Sequence, residues 1–217
     1  MNKEVFIKFL DDTTETDAAH DIAHIKRVVK NAGDILLEES ADTEIVTAAA
    51  WLHDCVIVPK NHPDRKNAST LAAQKAAEFL STKDYPANKI PAVAHAIEAH
   101  SYSAGIPPKT MEAKIVQDAD RLDALGAIGI ARCFSVGGEL NSSIYHPGDP
   151  FAESRELDDS RWTVDHFYEK LFKLPGLLNT NTARRIAAER VDYMKSFLSQ
   201  LSTEIGWFSV IKWAIKW

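Results

Sequence analysis

AAWLHDCV, residues 49–56, reads as the end of a buried helix that runs abruptly into an imidazole and a carboxylate. Neighbouring helical residues project about 100° apart, so His53 and Asp54 cannot both face a core. A desolvated carboxylate is costly unless something positive pairs with it. Asp54 therefore either leaves the helix for water, or a cation beside the helix takes both side chains. Just upstream, Ile45, Val46, Ala49 and Leu52 form one apolar strip, and His53 continues it four residues after Ala49.

The same helical spacing fills the rest of the chain. Val/Ile/Thr alternation bounded by turn residues is nearly absent, so the fold class is all-α. Helices are expected at about 3–10, 17–38, 43–54, 67–82, 87–100, 109–134, 163–172, 179–203 and 204–215. Proline and glycine in TKDYPANKIP (82–91) and AGIPPK (104–109) separate helices, and VGGELNSSIYHPGDPF (136–151) reads as a long irregular segment. These elements group as one compact helical bundle over 1–203. The aromatic, amphipathic GWFSVIKWAIKW (206–217) suggests a short helix over 204–217 that docks on the body or on a second subunit, which makes a homodimer a candidate assembly. Only two lysines accompany it, which disfavours a membrane-surface role.

With 217 residues, 31 acidic against 25 basic side chains and a net charge of −6, the chain disfavours nucleic-acid polymers and anionic membranes as partners. MNKEVFIKFL is no secretory signal, and no segment approaches the roughly 20 apolar residues of a membrane span. Cys55 and Cys133 have no zinc-pair spacing. They read as buried free thiols of a reduced, cytoplasmic protein.

Two further segments carry polar residues beside apolar faces. In HDIAHIKRVVKNAGDIL (20–36), Ile25, Val28, Val29, Ala32 and Leu36 make the apolar arc, with His24 on its flank and His20 nearer the rim. In EAKIVQDADRLDALGAIGIARCF (112–134), Ile115, Ala119, Leu122 and Gly126 face inward. Asp120 and Asp123 share one flank, about 60° apart, whereas Asp118 lies about 200° from Asp120 if the helix is continuous. Singly, His24 reads as a hydrogen-bonded core residue, Asp54 as a helix-end residue and the aspartates as a solvated face. Jointly, two imidazoles and two carboxylates from three helices suit a first-row divalent ion such as Mn²⁺ or Fe²⁺, or Co²⁺ and Ni²⁺ in vitro. Mg²⁺ prefers all-oxygen sites and zinc tetrahedral ones.

HIKRVV (24–29), WLHDC (51–55) and DADRLDA (118–124), in that order, resemble the HD-domain superfamily of metal-dependent phosphohydrolases. HDIAHIKRV, HS at 100–101, KIVQDADRLDALGAIGIAR and YHPGDPF are similar to a subgroup of small bacterial HD-domain hydrolases, over about residues 17–200. The resemblance implies a helical bundle that holds one divalent transition metal, Mn²⁺ being favoured, through His24, His53, Asp54 and Asp120. It implies hydrolysis of a nucleotide or related phosphate ester, including triphosphate to monophosphate plus pyrophosphate. Several superfamily nucleotidases and alarmone hydrolases carry an acidic residue soon after the His-Asp doublet. HDCVIVPKN has none, so their catalytic arrangement does not transfer directly.

Transition-state charge on phosphorus calls for cationic donors. Arg27 and Arg121 sit inside matched motifs, and Lys60, Arg65 and Lys66 lie in the loop after the doublet; each also reads as a solvated surface charge. His20 and His100 are candidates to contact phosphate or move a proton. Asp123 is a candidate to orient a ligand histidine, and His146 either overlies the pocket or belongs to a plain turn. The rival readings are a nucleotide sensor that keeps the pocket without turnover and a metal-free helical interaction protein.

Overall fold

The computed structural model describes residues 1–13, 22–56, 58, 66–101 and 104–207. Among these the protein is all-α. Helices run α1 (Lys3–Thr13), α2 (Ile22–Leu36), α3 (Thr43–Leu52), α4 (Ala68–Ser81), α5 (Ile90–His100), α6 (Met111–Leu122), α7 (Gly126–Glu139), α8 (Asp165–Glu169) and α9 (Asn181–Glu204). Short 3₁₀ turns occupy Ala87–Lys89 and Leu171–Leu177. The only β-type pairing among the described residues is an isolated bridge between Ser143 and Trp162. No described helix is long and apolar enough to cross a membrane.

Where the sequence groups 1–203 together, the contacts fall into two compact units. One comprises Met1–Asp123 with Asn179–Ala183, the other Ala124–Leu178 with Arg184–Trp217. The helix expected over 204–217 lies, from 208 onward, outside the described residues.

In the first unit α3 and α6 pack on each other and each packs on both α2 and α5, and α4 packs on α5 and α3. Alanine-rich α3 is almost wholly buried from Ile45 to Leu52, as its apolar strip requires. Its start is fixed by Asp42, whose carboxylate accepts the N–H groups of Glu44 and Ile45 at 3.0 and 3.3 Å. Trp51 stacks on Phe6 of α1. Thr110 caps α6 by accepting the Ala113 N–H. The buried face of α2 is His24, Ile25, Val28, Asn31, Ala32 and Ile35. It is rotated by about one residue from the arc read from sequence, which takes His24 from the flank into the face.

The helix expected over 109–134 is broken, which corrects that reading. α6 stops at Leu122, and Asp123 closes its last turn by donating its N–H to Asp120 O at 3.0 Å. The chain then needs a left-handed residue, and Gly126 supplies it at φ +72°. Gly129 is constrained by space: a Cβ there would stand 2.2 Å from the Ala124 carbonyl oxygen. Gly129→Ala is therefore expected to lower stability by about 1–3 kcal/mol, since backbone must move to admit one methyl. Urea unfolding checks this, and an unchanged midpoint would count against the turn described. The irregular segment also begins later than the sequence suggests, because α7 runs through Gly137 and Gly138 to Glu139.

In the second unit Asp149 and Asp165 organise the loop before α8. The Asp149 carboxylate accepts the N–H groups of Glu153 and Ser154, and Asp165 takes a bidentate pair from Arg155 at 2.5 and 2.7 Å. Cys55 is buried and Cys133 half-buried, against the expectation that both are buried. Burial pushes both thiols up to about 12, so neither is a reactive thiolate near neutral pH.

Candidate metal centre

Three helices and the turn after α3 bring their polar ends to one point in the first unit. His24 projects from the buried face of α2, and His53 is the residue that ends α3. Asp54 follows it in the turn, and Asp120 comes from the last turn of α6. The His24 Nε2 lies 3.4 Å from His53 Nε2, 3.7 Å from Asp54 Oδ2 and 3.5 Å from Asp120 Oδ1. His53 Nε2 is 3.6 Å from Asp54 Oδ2 and 4.0 Å from Asp120 Oδ1. Donors held about 2.1 Å from one ion stand about 3–4 Å apart; His24, His53 and Asp120 form one trio that could share a divalent cation, and His53, Asp54 and His100 form a second trio that overlaps it at His53. Two imidazoles with two carboxylates match the chemistry of a borderline first-row ion better than that of Mg²⁺.

The imidazoles are presented as ligands by the groups behind them. His53 Nδ1 faces the carbonyl of Ala50 at 2.9 Å, and His100 Nδ1 that of Ile97 at 2.6 Å. A carbonyl only accepts, so in both rings Nδ1 carries a proton, and in His53 this leaves the Nε2 lone pair to face the centre. Both histidines use the carbonyl three residues back along their own helix. His24 Nδ1 instead lies 2.8 Å from Asp123 Oδ2. Arg27 binds the same carboxylate, Nε to Oδ1 at 2.7 Å and Nη2 to Oδ2 at 3.1 Å.

His100 adds a third imidazole. Its Nε2 is 3.5 Å from Asp54 Oδ1, the oxygen turned away from His24 and His53. Burial pulls the His53 pKa below its ordinary range, only partly opposed by Asp54. Burial also works against a charged His100, but its bond to Asp54 and the Asp54 and Asp120 charges outweigh it, so its pKa is raised. The histidines are almost wholly buried, whereas the Asp54 and Asp120 side chains are 20% and 28% exposed. The centre therefore opens to solvent on its carboxylate side.

The remaining sequence candidates fall differently. Asp118 is fully buried and points to other partners: it accepts the N–H and side-chain amide of Asn179 and the N–H and hydroxyl of Thr180. Arg121 is half-buried at the end of α6, and Lys66 is exposed before α4. His20, Lys60 and Arg65 lie outside the described residues. His146 belongs to the second unit, where its Nδ1 accepts the N–H groups of Gly148 and Asp149 and its ring packs edge-on to Trp162. That is the turn reading of its sequence.

Asn31 and Gln117 also bear on the site. Asn31 donates to the Ala119 carbonyl, next to Asp120, and Gln117 to that of Ala99, next to His100. Asn31 lies seven residues after His24, two turns along the same face, and a polar residue there is the signal that marks it.

A family model for the HD domain matches residues 21–125. YpgQ, an uncharacterized protein of Bacillus subtilis strain 168, is 34% identical over 196 residues, spanning 88% of this chain and 87% of its own. The crystal structure of B. subtilis YpgQ in complex with ADP aligns with a TM-score of 0.71 at 31% identity, over 94% of this chain and 97% of that one. A crystal structure of an HD-superfamily hydrolase from Bacillus thuringiensis aligns with a TM-score of 0.73 at 34% identity, over the same shares of the two chains.

Proposed function

The chain belongs to the HD superfamily, and we propose that it is a metal-dependent phosphohydrolase acting on a nucleotide, with triphosphate to monophosphate plus pyrophosphate as the favoured reaction. The observation that carries this reading is the convergence of His24, His53, Asp54 and Asp120 within 4.0 Å of His24 and His53 Nε2. The structure of YpgQ with ADP supports a nucleotide as substrate.

A divalent ion held by these four residues, Mn²⁺ by preference, supplies a water of lowered pKa and a Lewis acid for a phosphoryl oxygen. The chain's own residues supply the rest. The buried rings of His24 and His53 keep their lone pairs fixed toward the centre. Asp54 divides its two oxygens between that centre and His100. His100 is then placed to hold a proton at Nε2 near a phosphate that enters from the exposed carboxylate side. Arg121 and Lys66 are assigned to the phosphate charge, as are Lys60, Arg65 and His20 from the sequence alone.

Incubating the full chain with Mn²⁺ and a panel of nucleotides is expected to release phosphate or pyrophosphate from at least one. Tight binding of a nucleotide with no turnover of any would identify a sensor instead. Metal binding has its own readout. Mn²⁺ or Ni²⁺ at about a hundred times its Kd stabilises the fold by about 2.7 kcal/mol, visible as a raised melting temperature, with a smaller rise for Mg²⁺. A melting temperature indifferent to all three ions would remove the basis of the proposal.

A further inference from the structure

Arg27 sits in the motif HIKRV and reads from sequence as a cation for the phosphate. In the structure its side chain is turned to Asp123. Two of its N–H groups are committed to Asp123 as a fork, and Asp123 is 2% exposed. The carboxylate plane is thereby fixed, and Oδ2 is left aimed at His24 Nδ1. His53 and His100 have their tautomers set by backbone carbonyls that no side-chain change removes. His24 Nδ1 faces the Asp123 carboxylate, so its orientation is set through side chains of α2 and of the turn after α6.

We infer that Arg27 is a positioning residue. Through Asp123 it holds the His24 ring in the Nδ1–H tautomer, with Nε2 turned to the centre, and so sets the affinity of the site for its ion. The inference rests on the metal reading of the centre, although its first readout needs neither metal nor turnover. Arginine suits this task because its planar fork fixes a carboxylate that a lysine ammonium would only attract.

The test compares wild type, Arg27→Gln, Arg27→Lys and Asp123→Asn as full chains. Histidine-selective ¹⁵N labelling and two-bond ¹H–¹⁵N correlation report the tautomer of His24. Wild type is expected to show Nδ1 protonated and Nε2 bare. Arg27→Gln is expected to show a mixture, while His53 and His100 keep their wild-type signals. Mn²⁺ affinity by calorimetry is expected to fall about 10–100-fold in Arg27→Gln and less in Arg27→Lys. On an Asp123→Asn background, Arg27→Gln should add nothing, because Arg27 acts through Asp123.

A wild-type tautomer and wild-type Mn²⁺ affinity in Arg27→Gln would overturn the inference. So would losses that add in the double variant. A raised KM for the nucleotide at saturating Mn²⁺, with metal affinity unchanged, would instead make Arg27 a substrate contact. If Arg27→Gln does not fold, Arg27→Lys carries the same readouts at smaller amplitude. Should wild type turn over no nucleotide, the proposed reaction fails, yet the tautomer and affinity still decide the role of Arg27.

Discussion

Asp120→Ala is expected to lose the metal and the hydrolytic activity together, the activity by on the order of 10³-fold or more. An ion that polarises a phosphoryl oxygen contributes several kcal/mol at the transition state, and each 1.36 kcal/mol is a factor of about ten. Asp120 Oδ1 is within 4.0 Å of both buried imidazole donors, so its removal leaves an open coordination position beside them. The fold should survive, because that side chain is part-exposed at the end of α6 and an alanine there leaves no stranded buried group. Metal content, circular dichroism and phosphate release measured on one preparation test this. A folded Asp120→Ala protein that retains a full equivalent of metal would remove Asp120 from the donor set.

Asp118→Ala should do the reverse: keep the metal and lose stability. The Asp118 carboxylate takes the backbone N–H of Asn179 at 2.9 Å and that of Thr180 at 2.8 Å, with the Thr180 hydroxyl at 2.8 Å. Thr180 in turn accepts the N–H of Ala183 in the first turn of α9. Alanine would strand these donors, those of Thr180 in buried surroundings, and each unsatisfied group costs about 1–3 kcal/mol, for a total of roughly 3–5 kcal/mol. Urea midpoints measure it, and Asp118→Asn, which keeps one acceptor oxygen, should lose less than Asp118→Ala. Loss of the ion from a still-folded Asp118→Ala would reverse the assignment of the two aspartates.

The contrast between these carboxylates was partly readable in the sequence. Helical phase separates Asp118 from Asp120, and the buried strip ending in His53 follows from apolar spacing alone. The partners of Asp118 were not readable, since they lie 61 and 62 residues away and no local pattern marks them. The break after Asp123 leaves no mark in the sequence, because a glycine inside a helical pattern costs only about 1 kcal/mol against alanine and carries no sign of φ. Apolar Val29 and Leu36 pull the arc seen in the sequence away from His24 and set it on the flank. The structure buries Asn31 and Ile35 there instead, and a buried asparagine has no hydrophobic signature. At Arg27 the sequence shows a charge but not the buried aspartate 96 residues away that it binds.

The carbonyls behind His53 and His100 also bear on building such a centre elsewhere. A histidine at the end of a helix that bonds the carbonyl three residues back carries its own orienting group with it. Transplanting these two rings into an unrelated helical scaffold would require only helix ends at the right places. The third ring would have to arrive with its aspartate and arginine, so a designer's difficulty in copying the constellation is concentrated at one ligand, and rigid docking of α2 against α6 is the specification to meet first.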